Sequence, residues 1–337
     1  MLTIDGSMGH GGDETFYTAL ALCLATGRAM RLEKIRLQKH HPGLLRQHLI
    51  ALDAVATVSG GTVQGAQIGA TEVTVEPGEI KPGKYNFKLS TARGVTWLLQ
   101  TLLPALCTAS GPSEILFEGG THSPGAPILE EMTESLLPQL LKMGPEVEIE
   151  RQRYGFHPAA GGRVVVKISP VADGLTPLHL HERGELLKKR AVALIANLDD
   201  AIGRRELDTL SEKMTWSEDE LELVKAKGSR GPGNAVYIKL ISQNVTEVFG
   251  SVGERGVRAE AIAERVASLA REYLAAGVPA SHHLTRRLLV LAALAGGGAI
   301  TTVQPDRQTQ STVELVGQFT DAEVAMANIR GQWQIEI

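Results

Sequence analysis

Residues 43–61 read GLLRQHLIALDAVATVSGG, an apolar-rich run of helical length that closes on a glycine pair. Glycine tolerates the left-handed conformation that commonly ends a helix, so the stretch reads as a helix with its own stop signal. The same grammar recurs outward from it, at 14–27 (ETFYTALALCLATG), 94–111 (GVTWLLQTLLPALCTASG) and 127–144 (PILEEMTESLLPQLLKMG). Between these lie segments rich in β-branched residues, TEVTVEP (71–77), SEILFEGG (113–120), GRVVVKISPV (162–171) and NAVYIKLIS (234–242). The order predicts an α+β fold of repeated units, two helices and a few strands recurring roughly every 60–70 residues.

The composition changes near residue 182. From there to about Gly277 the chain is richer in charge and carries one clear amphipathic helix, RAEAIAERVASLAREYLAAG (258–277). Its Ile262, Val266, Leu269 and Tyr273 share one helical face. After Gly277 the helix-then-glycine pattern returns in SHHLTRRLLVLAALAGGG (281–298), so the middle segment reads as an insertion rather than a tandem domain.

The 337 residues are 43% hydrophobic and 21% charged, with a formal net charge of −4. Such a chain buries a sizeable core without help from disulfides or a structural metal. Its two cysteines, Cys23 and Cys107, exclude a disulfide scaffold and a cysteine-rich zinc module. No apolar run approaches the ~20 residues of a membrane span, and the first residues lack a signal-peptide pattern. The expectation is a cytoplasmic protein with no membrane partner.

Four features could carry chemistry. In IDGSMGHGGDET (4–15) a strand feeds a glycine-rich turn that opens a helix and can present N–H groups to an anion, although it is neither a Walker motif nor a well-placed GxGxxG. The plain alternative is a tight turn that needs glycine torsions. Residues 28–48 hold nine basic side chains against the single acid Glu33, a local charge suited to phosphate or to a solvated face. The histidine pairs His40/His41, His179/His181 and His282/His283 make poor metal sites, since a site needs convergent ligands and adjacent histidines on a strand or helix point in different directions, whereas His10 beside Asp13 and Glu14 clusters better. Finally, TVQPDRQTQSTVEL (302–315) is a polar strand or loop that could face a pocket or only solvent.

Together these segments resemble the RNA 3′-terminal phosphate cyclase family. HPGLLRQHL (41–49) is similar to that family's KPGLLRQHL, and LQTLLPAL (99–106), GGTHSPGAP (119–127), GFHPAAGG (155–162), GPGNAV (231–236) and VGERGVRAE (252–260) follow in the family's order. The resemblance implies a large domain of three repeated α/β units, residues 1–181 and 278–337, with a smaller α/β domain inserted at 182–277. That repeat architecture is shared with the enolpyruvyl transferases, a competing function class whose basic constellation is not visible here. The resemblance also implies ATP with Mg²⁺ or Mn²⁺ as cofactors. In the family a histidine takes AMP from ATP and passes it to an RNA 3′-phosphate, and the neighbouring 2′-hydroxyl then closes a 2′,3′-cyclic phosphate.

At the positions that matter most the chain departs from that pattern. The family's HPSCHLLTNI reads QPDRQTQSTV here (304–313), placing Gln308 where the nucleophilic histidine is expected. The family's GEGGGQ turn reads GHGGDE, with His10 for a glutamate and Glu14 for a glutamine. Tyr17 falls on a phosphate-contacting arginine, and Arg286 on an acid. Arg36, Arg46, Gln47, Gln100 and Pro127 retain the nucleotide- and phosphate-binding pattern. The expected function is that of a cyclase-like protein without histidine adenylylation, acting by binding an RNA 3′ end, a nucleotide or a protein partner, with a homo-oligomer open. The alternatives are altered chemistry at His10, Asp13 and Glu14 with Arg286 as a phosphate clamp, or residual cyclase activity through His282 or His283.

Overall fold

The first glycine-stopped unit begins with Leu2–Asp5 (β1), which crosses through the helix Asp13–Thr26 (α1) to the parallel strand Met30–Glu33 (β2). Arg46–Ser59 (α2), Thr62–Gln64 (β3) and Val73–Glu76 (β4) complete it, giving the strand order β1-β2-β4-β3. Gly27 and Gly60, with φ of 68° and 64°, end the two helices in the left-handed conformation that sequence reading assigned to them. The structure, a computed structural model, describes residues 1–89 and 94–337.

A second unit repeats the plan. Lys84–Lys88 (β5), Val95–Leu106 (α3) and Ser113–Gly119 (β6) make the parallel crossover. A π-helical turn at Glu131–Leu136 runs into Leu137–Leu141 (α4), and Glu146–Arg153 (β7) and Gly162–Ser169 (β8) close the order β5-β6-β8-β7. Leu178–Leu180 (β9) opens a third unit, but the chain first builds a different sheet. That sheet contains Leu186–Ala196 (β10), Leu221–Lys225 (β11), Gly233–Ser242 (β12) and Thr246–Val252 (β13), in the order β11-β10-β12-β13. Its helices are Asp200–Met214 (α5) and Ala259–Ala276 (α6). The third unit then resumes with His282–Leu294 (α7), Gly298–Thr302 (β14) parallel to β9, Arg307–Phe319 (α8), Ala325–Ile329 (β15) and Gln332–Glu336 (β16). Three sheets therefore share one βαβαββ topology in an α+β fold, and the fourth is interposed between β9 and α7.

One core runs through the three like units. Thr15 to Leu24 of α1 are all buried, because α2, α3, α7 and α8 pack around that helix. A helix apolar on every side has no solvent face, and each fully buried Leu or Phe contributes roughly 1.5–3 kcal/mol. The fourth sheet has its own core, where Leu207 and Leu210 of α5 and Ile262, Val266 and Tyr273 of α6 cover β10 and β12. Ile128 and Phe156 from the second unit pack with Leu194 and Val248 of the fourth sheet.

Two sequence expectations need correction. The repeat interval exceeds 60–70 residues, since β5 starts at Lys84 where β1 starts at Leu2. Residues 307–315 are helix rather than strand or loop. Asp306 caps this helix by accepting from the Thr309 N–H at 2.7 Å, and Gln308, Thr309, Ser311 and Thr312 are buried on the side of the helix that packs against α1 and α7.

Candidate functional site

The glycine turn is built from β1 outward. Asp5 at the strand end accepts hydrogen bonds from the Ser7 N–H (2.8 Å) and hydroxyl (2.5 Å) and from Lys34 (2.6 Å). The chain then passes Gly9 and Gly11, with φ of 61° and 55°. A Cβ at Gly9 would overlap the Gln308 side chain, so both torsion and space require glycine there. Gln308 reaches the turn from the first turn of α8. Its Oε1 accepts from the His10 N–H at 3.1 Å and its Nε2 donates to Thr15 Oγ1 at 3.1 Å. The amide is 3% exposed and staples the turn to α1, while the His10 side chain lies in solvent.

Beside the turn Asp13, Glu14, Arg36 and Arg286 are paired, whereas Lys39, packed against Gly12, has no acidic partner among the described residues. Asp13 accepts from Arg36 and from His48 Nε2 (3.2 Å). His48 Nδ1 accepts from the Leu45 N–H at the start of α2, which places the proton of the neutral ring on Nε2, facing Asp13. Glu14 accepts from Arg286 Nε at 2.5 Å, and Arg286 also donates to both carboxylate oxygens of Asp306 at 3.3 Å. Burial alone would raise the Asp306 pKa, but Arg286 and the Thr309 hydrogen bonds outweigh it and hold the group below the usual value. Arg286 further donates to His283 Nδ1 at 3.2 Å, and burial together with Arg286 and Arg287 holds His283 well below pKa 6.5. Arg287 pairs with Glu131 (2.7 Å) and donates to Gln100 (3.3 Å).

A cleft of about 290 Å³ opens next to this network. Glu14, Trp97, the loop Ser123–Pro127, β13 and residues of α6 and α7 line it. Its charged lining comes in pairs, with Glu14 on Arg286, Glu131 on Arg287 and Glu254 on Arg265 (2.9 Å). Tyr17 is 1% exposed and stacks on Trp97, with centroids 5.1 Å apart and planes 7° from parallel.

A family model described as RNA 3′-terminal phosphate cyclase matches residues 8–326. The chain belongs to the RNA 3′-terminal phosphate cyclase family. Curated proteins of that name align over nearly the whole chain. The one from Koribacter versatilis (strain Ellin345) is 41% identical over 319 residues, covering 95% of this chain and 90% of the relative. Those from Ectopseudomonas mendocina (strain ymp) and Pseudomonas fluorescens (strain Pf-5) are 38% and 39% identical, each covering 96% of this chain and 94% of its own.

Set against the sequence reading of a cyclase site, the structure brings several candidates together and separates others. Glu14 and Pro127 line the cleft, Arg286 lies behind Glu14, and Gln100 joins through Arg287. Gln308 and His10 meet at the turn, outside the cleft lining. Arg286, the expected phosphate clamp, is 5% exposed and bound to two carboxylates. Of the expected cluster His10, Asp13 and Glu14, the structure pairs Asp13 with Arg36 and Glu14 with Arg286 and leaves the His10 side chain exposed. Among the described residues no group of three His, Cys, Asp or Glu is placed to hold a metal ion. In the basic stretch 28–48 Arg31 pairs with Glu33 and Glu72, Lys34 with Asp5 and Arg36 with Asp13, while Lys39, His40, His41 and Arg46 have no acidic partner among the described residues. Arg46 stays exposed at the start of α2, and Gln47 is buried beside it. Sequence reading missed Trp97, Glu131, Arg287 and Asp306. Two adjacent arginines inside the apolar helix α7 were the available signal, because buried cations need buried acids.

Proposed function

We propose that this cyclase-family chain binds a nucleotide or an RNA 3′ end in the cleft beside α1 and α7 without forming an adenylyl-histidine. The observation that carries this reading is Gln308, buried with both ends of its amide engaged at the position where the nucleophile is expected. A carboxamide nitrogen has its lone pair delocalised into the carbonyl and does not attack a phosphate. The paired arginines support the same conclusion. A triphosphate needs cations that are not already neutralised, and Arg265, Arg286 and Arg287 each hold a carboxylate. The donor set does not fit the family's divalent metal either, with His10 in place of a glutamate and Asp13 and Glu14 bound to arginines. ATP binding at this cleft is therefore expected to be weak, and no step is assigned to a metal.

The reading places residues 1–181 and 278–337 in the cyclase-like body, with 182–277 as the inserted domain whose β13 and α6 form one wall of the cleft. It takes the protein as cytoplasmic, consistent with there being no helix among the described residues long and apolar enough to cross a membrane. Arg36, Arg46, Gln47, Gln100 and Pro127 remain the proposed binding residues, and a protein partner or a second copy would act through the same cyclase-like surface.

The test is incubation of folded protein with α-labelled ATP and Mg²⁺ or Mn²⁺, followed by a denaturing gel. No covalent label is expected. An acid-labile adduct would overturn the proposal. Its loss in His10→Ala would move the chemistry to His10, the histidine whose backbone contacts Gln308.

A further inference from the structure

The inserted sheet carries a second cavity, about 380 Å³ in volume, within the range of small-ligand sites. It lies between the starts of α5, β12 and α6, and two stretches singled out in the sequence, GPGNAV (231–236) and VGERGVRAE (252–260), both reach it. Among the described residues only Glu254 lines both this cavity and the cleft. Apolar walls come from Ile202, Pro232, Val257 and Ile262.

At the cavity lies Glu206, which is 0% exposed. One carboxyl oxygen accepts from Asn234 Nδ2 at 2.5 Å, and the other, Oε2, is buried without a hydrogen-bond partner among the described residues. Native structures rarely leave such an atom unsatisfied, and a ligand with a complementary polar edge satisfies it. Three arginines, Arg205, Arg255 and Arg258, also line the cavity. Glu260 lies 3.7 Å from Arg205 and 3.5 Å from Arg258, and Glu254 is held by Arg265, which leaves the rim net basic.

A ligand that fits must present a hydrogen-bonding edge inward, flat apolar faces to the walls and negative charge outward. We propose that this cavity binds a nucleotide, with the base edge on Glu206 and the phosphate on Arg255 and Arg258. A fatty acid would leave Oε2 unpartnered, and a free phosphate would leave the apolar walls empty. A base satisfies both, because its edge carries donors and acceptors side by side. The inference stands on residues separate from Gln308, Arg286 and Arg287, and so goes beyond the function proposed for the cleft. The charged groups around Glu206 are Arg205 on its own helix, Glu254, Arg255 and Arg258 in the loop, and Glu260 on α6. Burial pushes the carboxyl up to about 8, so at neutral pH it donates from Oε2.

The experiment is calorimetric titration of the full chain with AMP, GMP, CMP and UMP, and with a hexaribonucleotide ending in a 3′-hydroxyl. Wild type, R255A/R258A and E206Q are compared from pH 6.5 to 9. The expected result is that R255A/R258A weakens binding about tenfold, the loss of two charge-assisted phosphate contacts. Wild-type affinity should also fall as the pH passes about 8, while E206Q, which keeps an N–H donor, stays flat. Binding of mononucleotides with these losses supports the proposal with a free nucleotide as the ligand. Binding of the hexamer alone, with the same losses, supports it with a base of an RNA strand. Affinity unchanged in R255A/R258A overturns it and leaves the cleft proposal standing, as does a wild-type pH profile in E206Q. Absence of binding by all five probes overturns it as well.

Discussion

The two cavities differ in how folding has left their charges. Around the cleft, Arg286 and Arg287 are each 5% exposed and each holds a carboxylate within 2.7 Å. In the cavity at α5 and α6 a fully buried carboxyl keeps one oxygen unpartnered. The first arrangement serves the folded state, since a buried cation without its acid is expensive. A ligand phosphate entering the cleft must compete with protein carboxylates for the same guanidinium groups. The second arrangement leaves a polar group that any complementary ligand improves. The ion pairs beside the glycine turn therefore weaken any phosphate contact in the cleft, while the orphan oxygen leaves the second cavity a contact to offer.

The largest expected effect tests the inward site. Arg287→Met leaves Glu131, 6% exposed, without its cation and close to the buried Glu247. The loss should be about 3–5 kcal/mol of stability, measured as the shift of the urea unfolding midpoint. Glu131→Met in the same chain should recover most of it, because the unpaired charge is then gone. A loss below about 1 kcal/mol would mean that water reaches the pair and that the cleft is more open than described.

Next comes the pH dependence shared by two buried acids. Burial raises both Glu206 and Glu247 to about 8 from 4.5. The folded state then holds protons that the unfolded chain releases above 4.5, so their stabilising contribution is present below 4.5 and lost as the pH rises to about 8. His283 works the other way, since its lowered pKa costs stability only below about 6.5. The clean window is therefore pH 6.5 to 8. Across it the unfolding midpoint should fall by an amount equivalent to a few kcal/mol, on the order of one pKa unit per 1.4 kcal/mol for each acid. Glu247→Gln should flatten about half of that slope. A midpoint that stays constant from pH 6.5 to 8 in the wild type would show both acids to be ionised in the folded protein.

Glycine stops and β-branched runs made the repeat grammar legible in the sequence, because Gly27, Gly60 and Gly277 carry a local torsional requirement that any reader of the chain can see. The helix α8 was not legible in that way. Its buried face is polar through the first turns, at Gln308, Thr309, Ser311 and Thr312, and the apolar stripe begins only at Leu315, so the start of the helix looks like surface. Gln308 could be located through the family resemblance, but its two hydrogen bonds span some 300 residues and no local pattern encodes them. The pairing of Arg286 with Glu14 is equally distant, which is why a phosphate clamp was the natural expectation and an internal ion pair was not. Arg287 and Glu131 sit among apolar neighbours on two separate helical segments 156 residues apart, so no local pattern pairs them.

A middle-sized effect asks whether Gln308 alone decides the proposed absence of adenylylation. Gln308→His removes the bonds to the His10 N–H and Thr15 and should cost about 1–3 kcal/mol. It should not yield adenylylated protein on the labelled-ATP gel, because Glu14 and Asp306 still hold Arg286. A labelled band in this single variant would show that pairing does not block the phosphates and that the substituted amide was the sole barrier.

The smallest expected effect lies between the two cavities. Arg265 and Glu254 form their pair at 2.9 Å with side chains 55% and 39% exposed, so Arg265→Ala should change stability by about 0–1 kcal/mol. Binding should respond more than folding does. Without Arg265 the Glu254 carboxylate stands uncompensated at a position that lines both cavities. Anionic ligands at either one should then weaken by about two- to fivefold at low salt, and the difference should vanish near 1 M salt, where the Debye length is about 3 Å. If only the cleft ligand weakens, the loop from Gly253 to Arg258 screens the second cavity from Glu254, and the two sites act independently. If neither weakens, the carboxylate is turned to solvent, and the rim arginines alone set the field at the cavity mouth.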